Sequence, residues 1–132
     1  MALETKLNID GIDYDVLECE YEFIQPIESN GQPSGRPNGG LIHFILYSQD
    51  DNNMFFHEWM MNKTGRKDGV FSFSLKNDLT KKTLAFSDAY CIRLYEYFNK
   101  HSDAEMYMKI TISANQILFG KRQEVIFKMD TI

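Results

Sequence analysis

Apolar and polar residues alternate with a period of two along most of this 132-residue sequence, as they do in β-strands with one buried face. The pattern is clearest at the start, where two alternating runs, residues 3–9 and 12–16, flank the pair Asp10-Gly11. An Asp-Gly pair between two such runs predicts a tight β-hairpin, because both central residues of its turn need positive φ. The chain is therefore predicted to open with two antiparallel strands.

A two-residue turn also fixes the register of this hairpin. It places Leu7 opposite Tyr14 and Lys6 opposite Asp15. The apolar pair then lies on one face and the charged pair on the other, so the register agrees with the hydrophobic pattern.

The inward-facing parity of the second strand changes after Val16. Beyond it the apolar residues stand at odd positions, Leu17, Cys19, Tyr21 and Phe23. A change of parity within one continuous run indicates a bulge, or a corner at which the strand passes from one sheet to another. A closed or nearly closed barrel requires such corners.

Residues 25–40 form the only long irregular segment. They contain all three prolines and four of the eight glycines, so we predict no regular element there. Long loops in small domains are generally functional, and an ordinary mobile loop is the alternative. This loop between the second and third strands is the first place to expect a partner.

Two strand-like runs, residues 41–47 and 93–98, carry large apolar groups at both parities. A strand is apolar on both faces when a helix or another subunit covers its outer side. The aromatic residues of 93–98 cannot all enter one small core. Self-association explains this surplus of apolar surface, and coverage by the helix is the competing explanation.

One helix is predicted at residues 52–62, with residues 50–52 as capping groups near its start. Phe55 and Trp59 stand at i, i+4 spacing, as do Phe56 and Met60; such pairs pack along one helix face.

Four further strands are predicted after the helix, at residues 71–75, 84–94, 106–114 and 125–129, with a turn at 67–69 before the first. In the long run 84–94 one face is predicted to carry Leu84, Phe86, Tyr90, Ile92 and Leu94, opposite Ala85, Ser87, Ala89 and Cys91. About seven strands and one helix in hairpin order predict an all-β fold. We expect a compact β-barrel or two-sheet sandwich with a single flanking α-helix, forming one domain over residues 1–132.

Charge and hydropathy exclude several classes of protein. The net charge is -5, and an acidic surface repels phosphate backbones, so no nucleic-acid partner is expected. No apolar run reaches the roughly 18 residues of a transmembrane helix, so no membrane insertion is expected. The first residues lack the pattern of a secretory signal peptide, so we expect folding in the cytoplasm.

No constellation of residues predicts catalysis, a metal site or a cofactor. His43, His57 and His101 do not stand at metal-ligand spacing from one another or from a cysteine. The two cysteines, Cys19 and Cys91, lie in apolar runs and are interpreted as small hydrophobic residues in a reducing compartment. The chain is therefore not expected to be an enzyme.

Several stretches, in the same order and over most of the chain, resemble the Hcp/TssD tube proteins of type VI secretion systems, particularly the branch found in Bacteroidetes. The matching stretches are Val16–Tyr21, Gly31–Ser34 with Gly39-Gly40, Asp50-Asp51 through Glu58–Met60, Lys67–Gly69, Leu84–Cys91 and Ile110–Ala114.

The resemblance implies a β-barrel with one helix that forms hexameric rings stacked into a hollow tube. A contractile sheath propels such a tube out of the cell, and effectors can travel in its lumen, so sheath, spike and effector proteins are the implied partners. The loop should then reach the neighbouring ring, and the doubly apolar strands should meet ring contacts or the lumen wall. The implied interface residues are Gln32, Pro33, Ser34, Arg36, Leu41, His43, Ile45, Tyr47, Tyr95 and Tyr97.

Two other readings are compatible with the residues. One is the tail-tube protein of a phage-like contractile particle, which shares the stacking of rings. The other is a monomeric barrel that holds a small ligand, which predicts an internal cavity.

Overall fold

A computed structural model describes residues 3–75, 81–101, 105–120, 122 and 125–129. The described residues form eight strands and one helix. In chain order these are β1 (Leu3–Ile9), β2 (Ile12–Tyr21), β3 (Leu41–Tyr47), α1 (Phe55–Met61), β4 (Lys67–Leu75), β5 (Lys81–Asn99), β6 (Glu105–Ser113), β7 (Gln116–Phe119) and β8 (Val125–Lys128). The predicted fold class, mainly β with one helix, is confirmed; the single domain over residues 1–132 stays a prediction.

The opening hairpin has the predicted turn and register. Asp10 and Gly11 have φ values of 51° and 77°, as this turn requires. Leu7 pairs with Tyr14 and both are buried, whereas Lys6 pairs with Asp15 and forms an exposed ion pair with it.

Six strands close into a barrel in the order β4-β1-β2-β3-β6-β5, because β5 pairs back with β4. The 19-residue β5 closes the barrel by pairing with β4 along its first half and with β6 along its second half. β7 and β8 extend the sheet beyond β5. The four-residue strand β7 was not among the predicted elements, since it is too short to show an alternating pattern.

The barrel strands change parity at three places. The predicted change in β2 is confirmed, because the pairing of β2 with β3 shifts register between Val16 and Glu18. A second change, in β5, was not predicted. Leu84 and Phe86 are buried as expected, but the inward parity is reversed directly beyond them. A register shift between Cys91 and Arg93 restores it, so Leu94 packs against the core. The strand passes from one half of the barrel to the other between these two changes.

The predicted common face of Tyr90 and Ile92 with Leu84 is therefore wrong. Tyr90 and Ile92 are 38% and 49% exposed, while Ala89 and Cys91 are buried in their place. Asp88 causes the reversal: its φ is 52°, in the left-handed region that few residues other than glycine adopt. The side chain of Asp68 accepts a 2.8 Å hydrogen bond from the Asp88 N–H and so fixes this irregular turn of the strand.

Asp68 belongs to β4, which begins at Lys67 and includes the residues predicted as a turn. The pairing of β4 with β5 is irregular between Lys67 and Gly69, so the residues predicted as a turn form an irregularity within a strand. Gly69 itself allows a close approach of two strands, since a Cβ there would lie 2.6 Å from the ring of Phe86.

Aromatic side chains fill the barrel interior. The ring centroids of Phe44 and Phe71 are 5.2 Å apart, and those of Phe71 and Phe86 are 5.7 Å apart. All three side chains are at most 1% exposed. At these distances the rings contact one another, so the core is made by packed side chains, as expected for a barrel of this size.

The helix is shorter than predicted, because it runs from Phe55 to Met61 instead of from residue 52 to 62. The side chain of Asp50 accepts a hydrogen bond from the Asn52 N–H, which closes a turn ahead of the helix. The predicted capping residues therefore belong to this turn. The i, i+4 pair Phe55 and Trp59 does pack, with ring centroids 5.8 Å apart.

The helix lies on the core side of β3. Phe56 is 1% exposed, and the centre of its ring lies 5.0 Å from that of Tyr14 and 6.2 Å from that of Phe44. His57 binds Glu96 of β5 at 3.2 Å. Because Phe44 points inward from β3, the helix does not cover the opposite, outward side of that strand.

The inward and outward sides of β3 should differ sharply in their effect on stability. Phe44→Ala is expected to lower the free energy of unfolding by about 3–5 kcal/mol, because it leaves a cavity among packed rings. Tyr47→Ala, three residues on and 59% exposed, is the control and should change it by less than about 1 kcal/mol. Urea unfolding followed by circular dichroism measures both. Equal losses would contradict the assigned faces.

Candidate assembly surfaces

The segment between β2 and β3 is an ordered arm, defined here as residues 24–38, all of which are exposed. Ile24 and Asn38 at its base exchange two backbone hydrogen bonds of 2.9 and 2.6 Å. Further along, the Ser34 N–H donates to the Pro26 carbonyl at 2.8 Å. No helix or strand lies in this segment, as predicted, but isolated antiparallel bridges join its two sides.

The arm ends in a tight tip. The Glu28 N–H donates to the Gln32 carbonyl at 2.8 Å, and the Gly31 N–H donates to the Glu28 carbonyl at 2.9 Å. Gly31 has a φ of 87°, which the reversal of the chain needs. The arm is consequently held by its own backbone, although its side chains remain open to solvent.

The base of the arm is anchored in an aromatic cluster. The ring of Phe23 lies 5.8 Å from that of Phe119 and 5.0 Å from that of Phe127. Gly39 lets the returning chain pass close to Phe23, since a Cβ there would lie 2.4 Å from the ring. Beyond this anchor the apolar side chains of the arm are exposed, Ile24 by 59% and Ile27 by 68%.

A second surface is formed by four neighbouring strands, β2, β3, β6 and β5. Their outward side chains, which alternate with the buried residues of the core, make up what we call the outer face. Its members are Glu18, Glu20, Leu41, His43, Ile45, Tyr47, Tyr90, Arg93, Tyr95, Tyr97, Tyr107, Lys109, Thr111 and Ser113.

All six strand residues predicted as interface residues lie on this outer face: Leu41, His43, Ile45, Tyr47, Tyr95 and Tyr97. The other four, Gln32, Pro33, Ser34 and Arg36, lie in the arm. The predicted residues therefore fall on two surfaces that meet where β2 ends and β3 begins. Their role in an interface stays a prediction.

Side-chain pairs across the strands fix the geometry of the outer face. His43 Nδ1 lies 2.8 Å from Thr111 Oγ1. The Lys109 ammonium lies 5.7 Å from the centre of the Tyr95 ring, within range of a cation–π interaction. These cross-strand pairs hold polar and aromatic groups at defined positions on an open sheet.

Three tyrosines lie side by side at one end of the outer face. Tyr47, Tyr107 and Tyr97 are consecutive partners across β3, β6 and β5, and we call them the tyrosine row. The rings of Tyr97 and Tyr107 stack at 5.0 Å and 30°. The sequence reading missed Tyr107, because it stands among the polar residues of β6, and only the strand pairing shows that this polar parity continues the apolar surface of β3.

The described residues contain no group of three or more His, Cys, Asp or Glu side chains placed to hold a metal ion. His57 has Glu96 as its partner, and His43 has Thr111. Among the described helices none is long and apolar enough to cross a membrane.

Both cysteines are shielded thiols. Burial raises the pKa of Cys19 to about 12, and the nearby Glu20 carboxylate adds to the shift. Burial also raises the pKa of Cys91 to about 11, although a backbone hydrogen bond with Arg93 opposes the shift. A thiol with so high a pKa is a poor nucleophile at neutral pH, which agrees with the interpretation of both residues as small hydrophobic groups.

Comparisons with known proteins agree on one family. The sequence model of the family described as Hemolysin coregulated protein Hcp (TssD) matches residues 1–125. Hcp1 from Flavobacterium johnsoniae is 31% identical, with a TM-score of 0.83 over 96% of this chain and 99% of that one. No curated protein matches the sequence.

More distant structures share the fold. Hcp1 from Salmonella typhimurium has a TM-score of 0.73 at 15% identity, over 96% of this chain and 92% of its own. The sheath/tube terminator of an extracellular contractile injection system, PVC, has a TM-score of 0.62 at 16% identity, over 88% of this chain and 92% of its own.

The chain therefore belongs to the TssD (Hcp) family. It is a tube subunit of the type VI secretion class, a secreted structural protein and not an enzyme, and the family resemblance read from the sequence motifs is confirmed.

The raised thiol pKa values predict slow alkylation. At pH 8, Cys19 and Cys91 should react with iodoacetamide at least about 100-fold more slowly than an exposed cysteine introduced by Ser29→Cys, because almost no thiolate is present. Mass spectrometry of the modified peptides measures both rates, and unfolding in urea should remove the difference. Rapid labelling of the folded protein would contradict the burial.

The raised thiol pKa values also predict that the free energy of unfolding falls at alkaline pH. The folded-state pKa values lie above the ordinary value of 9.0, so the stabilisation is complete below pH 9. It is lost as the pH rises from about 9 towards 11–12, since the unfolded state releases these protons first.

Proposed function

We propose that the chain assembles into closed hexameric rings that stack into a hollow tube, with sheath, spike and effector proteins of a type VI apparatus as partners. The observation that carries the proposal is the arm. Its 15 residues are all exposed, yet their backbone is held by hydrogen bonds across the arm and at its tip. An ordered but uncovered segment is suited to binding, because the entropy of ordering it has already been lost on folding.

The arm is assigned to contacts between stacked rings. Its apolar side chains, Ile24 and Ile27, are more than half exposed, and the arm stands at one end of the strands from which it emerges. A projection at one end of a subunit makes a head-to-tail contact, which repeats without closing and so extends a tube. Gln32, Pro33, Ser34 and Arg36 belong to this stacking contact.

The outer face, apart from the tyrosine row at its far end, is assigned to the wall of the central channel. Charged groups lie among its aromatic residues, with Glu18 and Glu20 on β2 and Arg93 and Lys109 beyond β3. The cores of permanent interfaces are depleted of charge, so this mixed surface suits water and transient cargo better than a permanent contact. A shallow groove of about 290 Å³ between these charged groups provides a binding site for effectors.

Assembly would take place in the cytoplasm, and the finished tube would leave the cell through the apparatus. The fold shared with the tube terminator of an injection system supports a tube of the same general kind in both classes of particle. A monomeric ligand barrel is disfavoured by the packed rings of Phe44, Phe71 and Phe86, which occupy the interior.

Native mass tests the ring. Light scattering coupled to size exclusion should give a hexamer, six times the 15.4 kDa of one chain, and negative-stain microscopy should show a central hole. A 15.4 kDa monomer at high concentration would contradict the ring.

A substitution in the arm separates stacking from ring formation. Ile27→Asp should leave the ring mass unchanged and abolish tubes seen by microscopy, because a charge would then have to be buried in the stacking contact. The matched control is Leu3→Asp, at a side chain that is 62% exposed on β1; it should form tubes normally. Tubes of normal length from Ile27→Asp would remove the arm from the stacking contact.

A further inference from the structure

We propose that the tyrosine row receives the arm of a copy in the adjacent ring. The inference rests on the proposed stacking and names its receptor. The arm leaves the sheet between Tyr21, the last residue of β2, and Leu41, the first residue of β3. Tyr47 of the tyrosine row is the last residue of β3 and so stands at the other end of the same strand.

Because the arm and the tyrosine row lie at opposite ends of β3, they can meet between copies that are related by a translation along the strands. The seven residues of β3 span about 20 Å at about 3.3 Å per residue. The row is therefore far from the arm of its own copy. A second copy displaced along the strand direction would bring its arm to the row, and the same step repeated would add further copies in one polarity.

The chemistry of the two surfaces also matches. The arm holds all three prolines, Pro26, Pro33 and Pro37, together with the exposed Ile27. Proline-rich segments dock on surfaces lined by aromatic rings. The tyrosine row offers such rings, with Tyr47 59% exposed beside the stacked pair formed by its neighbours.

The row borders a groove that suits arm side chains. The groove has a volume of about 290 Å³, and its apolar lining includes Leu17 and Ile45. Glu18, Glu105 and Lys109 form a polar rim around it. This volume lies at the lower limit for small-molecule sites, so a few side chains of an ordered arm fit it better than a separate ligand does.

The same end of the subunit exposes further apolar residues. Phe98 and Met106, paired across β5 and β6, are 62% and 53% exposed. They project to the other side of the two strands from the tyrosine row. An end that is apolar on both sides of the sheet is an interaction site, and an adjacent ring would cover it.

Cysteine cross-linking between separately prepared rings tests the docking. Rings with Ser29→Cys at the arm tip are mixed with rings carrying Glu105→Cys at the groove, so that a disulfide reports a contact between rings. We expect at least about tenfold more cross-linked dimer than from mixtures with Lys82→Cys, an exposed site in the first half of β5. Unmodified rings give the background from the native cysteines.

Substitutions in the row provide a second readout. Tyr47→Ser should form rings of normal mass but give at least about tenfold less sedimentable tube, because each subunit at the junction loses an aromatic contact. The matched control is Tyr90→Ser, at the opposite end of the outer face, which should form tubes like the unmodified protein.

The outcomes separate this inference from the proposed function. If rings form and stack but cross-link equally at Lys82, or if Tyr47→Ser gives normal tubes, the row is not the receptor while the stacked ring stands. Normal tubes that fail to retain a co-expressed effector would instead assign the row to cargo. A monomer by native mass would overturn the ring and the docking together.

Discussion

The closure of the barrel through β5 is the constraint on which the rest of the structure depends. One strand of 19 residues pairs with β4 in its first half and with β6 in its second. Its inward parity reverses at Asp88, which has a left-handed conformation, and reverses again at the register shift between Cys91 and Arg93. The second reversal turns Tyr95 and Tyr97 outward on the same sheet as Tyr47, so this end of the outer face depends on that register shift.

Sequence alone predicts the parts of the fold that are set locally. Asp10-Gly11 predicts its hairpin, because the pair is suited to positive φ, and Val16 marks a parity change visible in the residues that follow. The reversal at Asp88 leaves no such signal, since the hydrogen bond that fixes it comes from Asp68, 20 residues earlier. The helix start was misplaced for a similar reason: Asp50 is a good capping residue that here closes a separate turn.

The candidate surfaces, too, could be predicted only where the signal is local in the sequence. The apolar surplus of residues 41–47 and 93–98 is visible in the sequence, whereas the side on which each strand presents it depends on pairing. Tyr107 joins the tyrosine row only because β6 lies between β3 and β5. The hydrogen bonds within the arm could not be predicted either. Its prolines and glycines indicate irregular backbone and do not reveal the bridge between Ile24 and Asn38.

Folding and assembly are specified by alternate residues of the same strands. In β3, the buried Phe44 contributes to the core, while its neighbours His43 and Ile45 belong to the outer face. A register slip of one residue would exchange the two sets, exposing the core ring and burying the histidine. Bulges that set the register therefore preserve both the core and the outer face. It follows that outward substitutions can change how copies associate with little effect on the stability of each barrel, and that selection can act on the two properties separately.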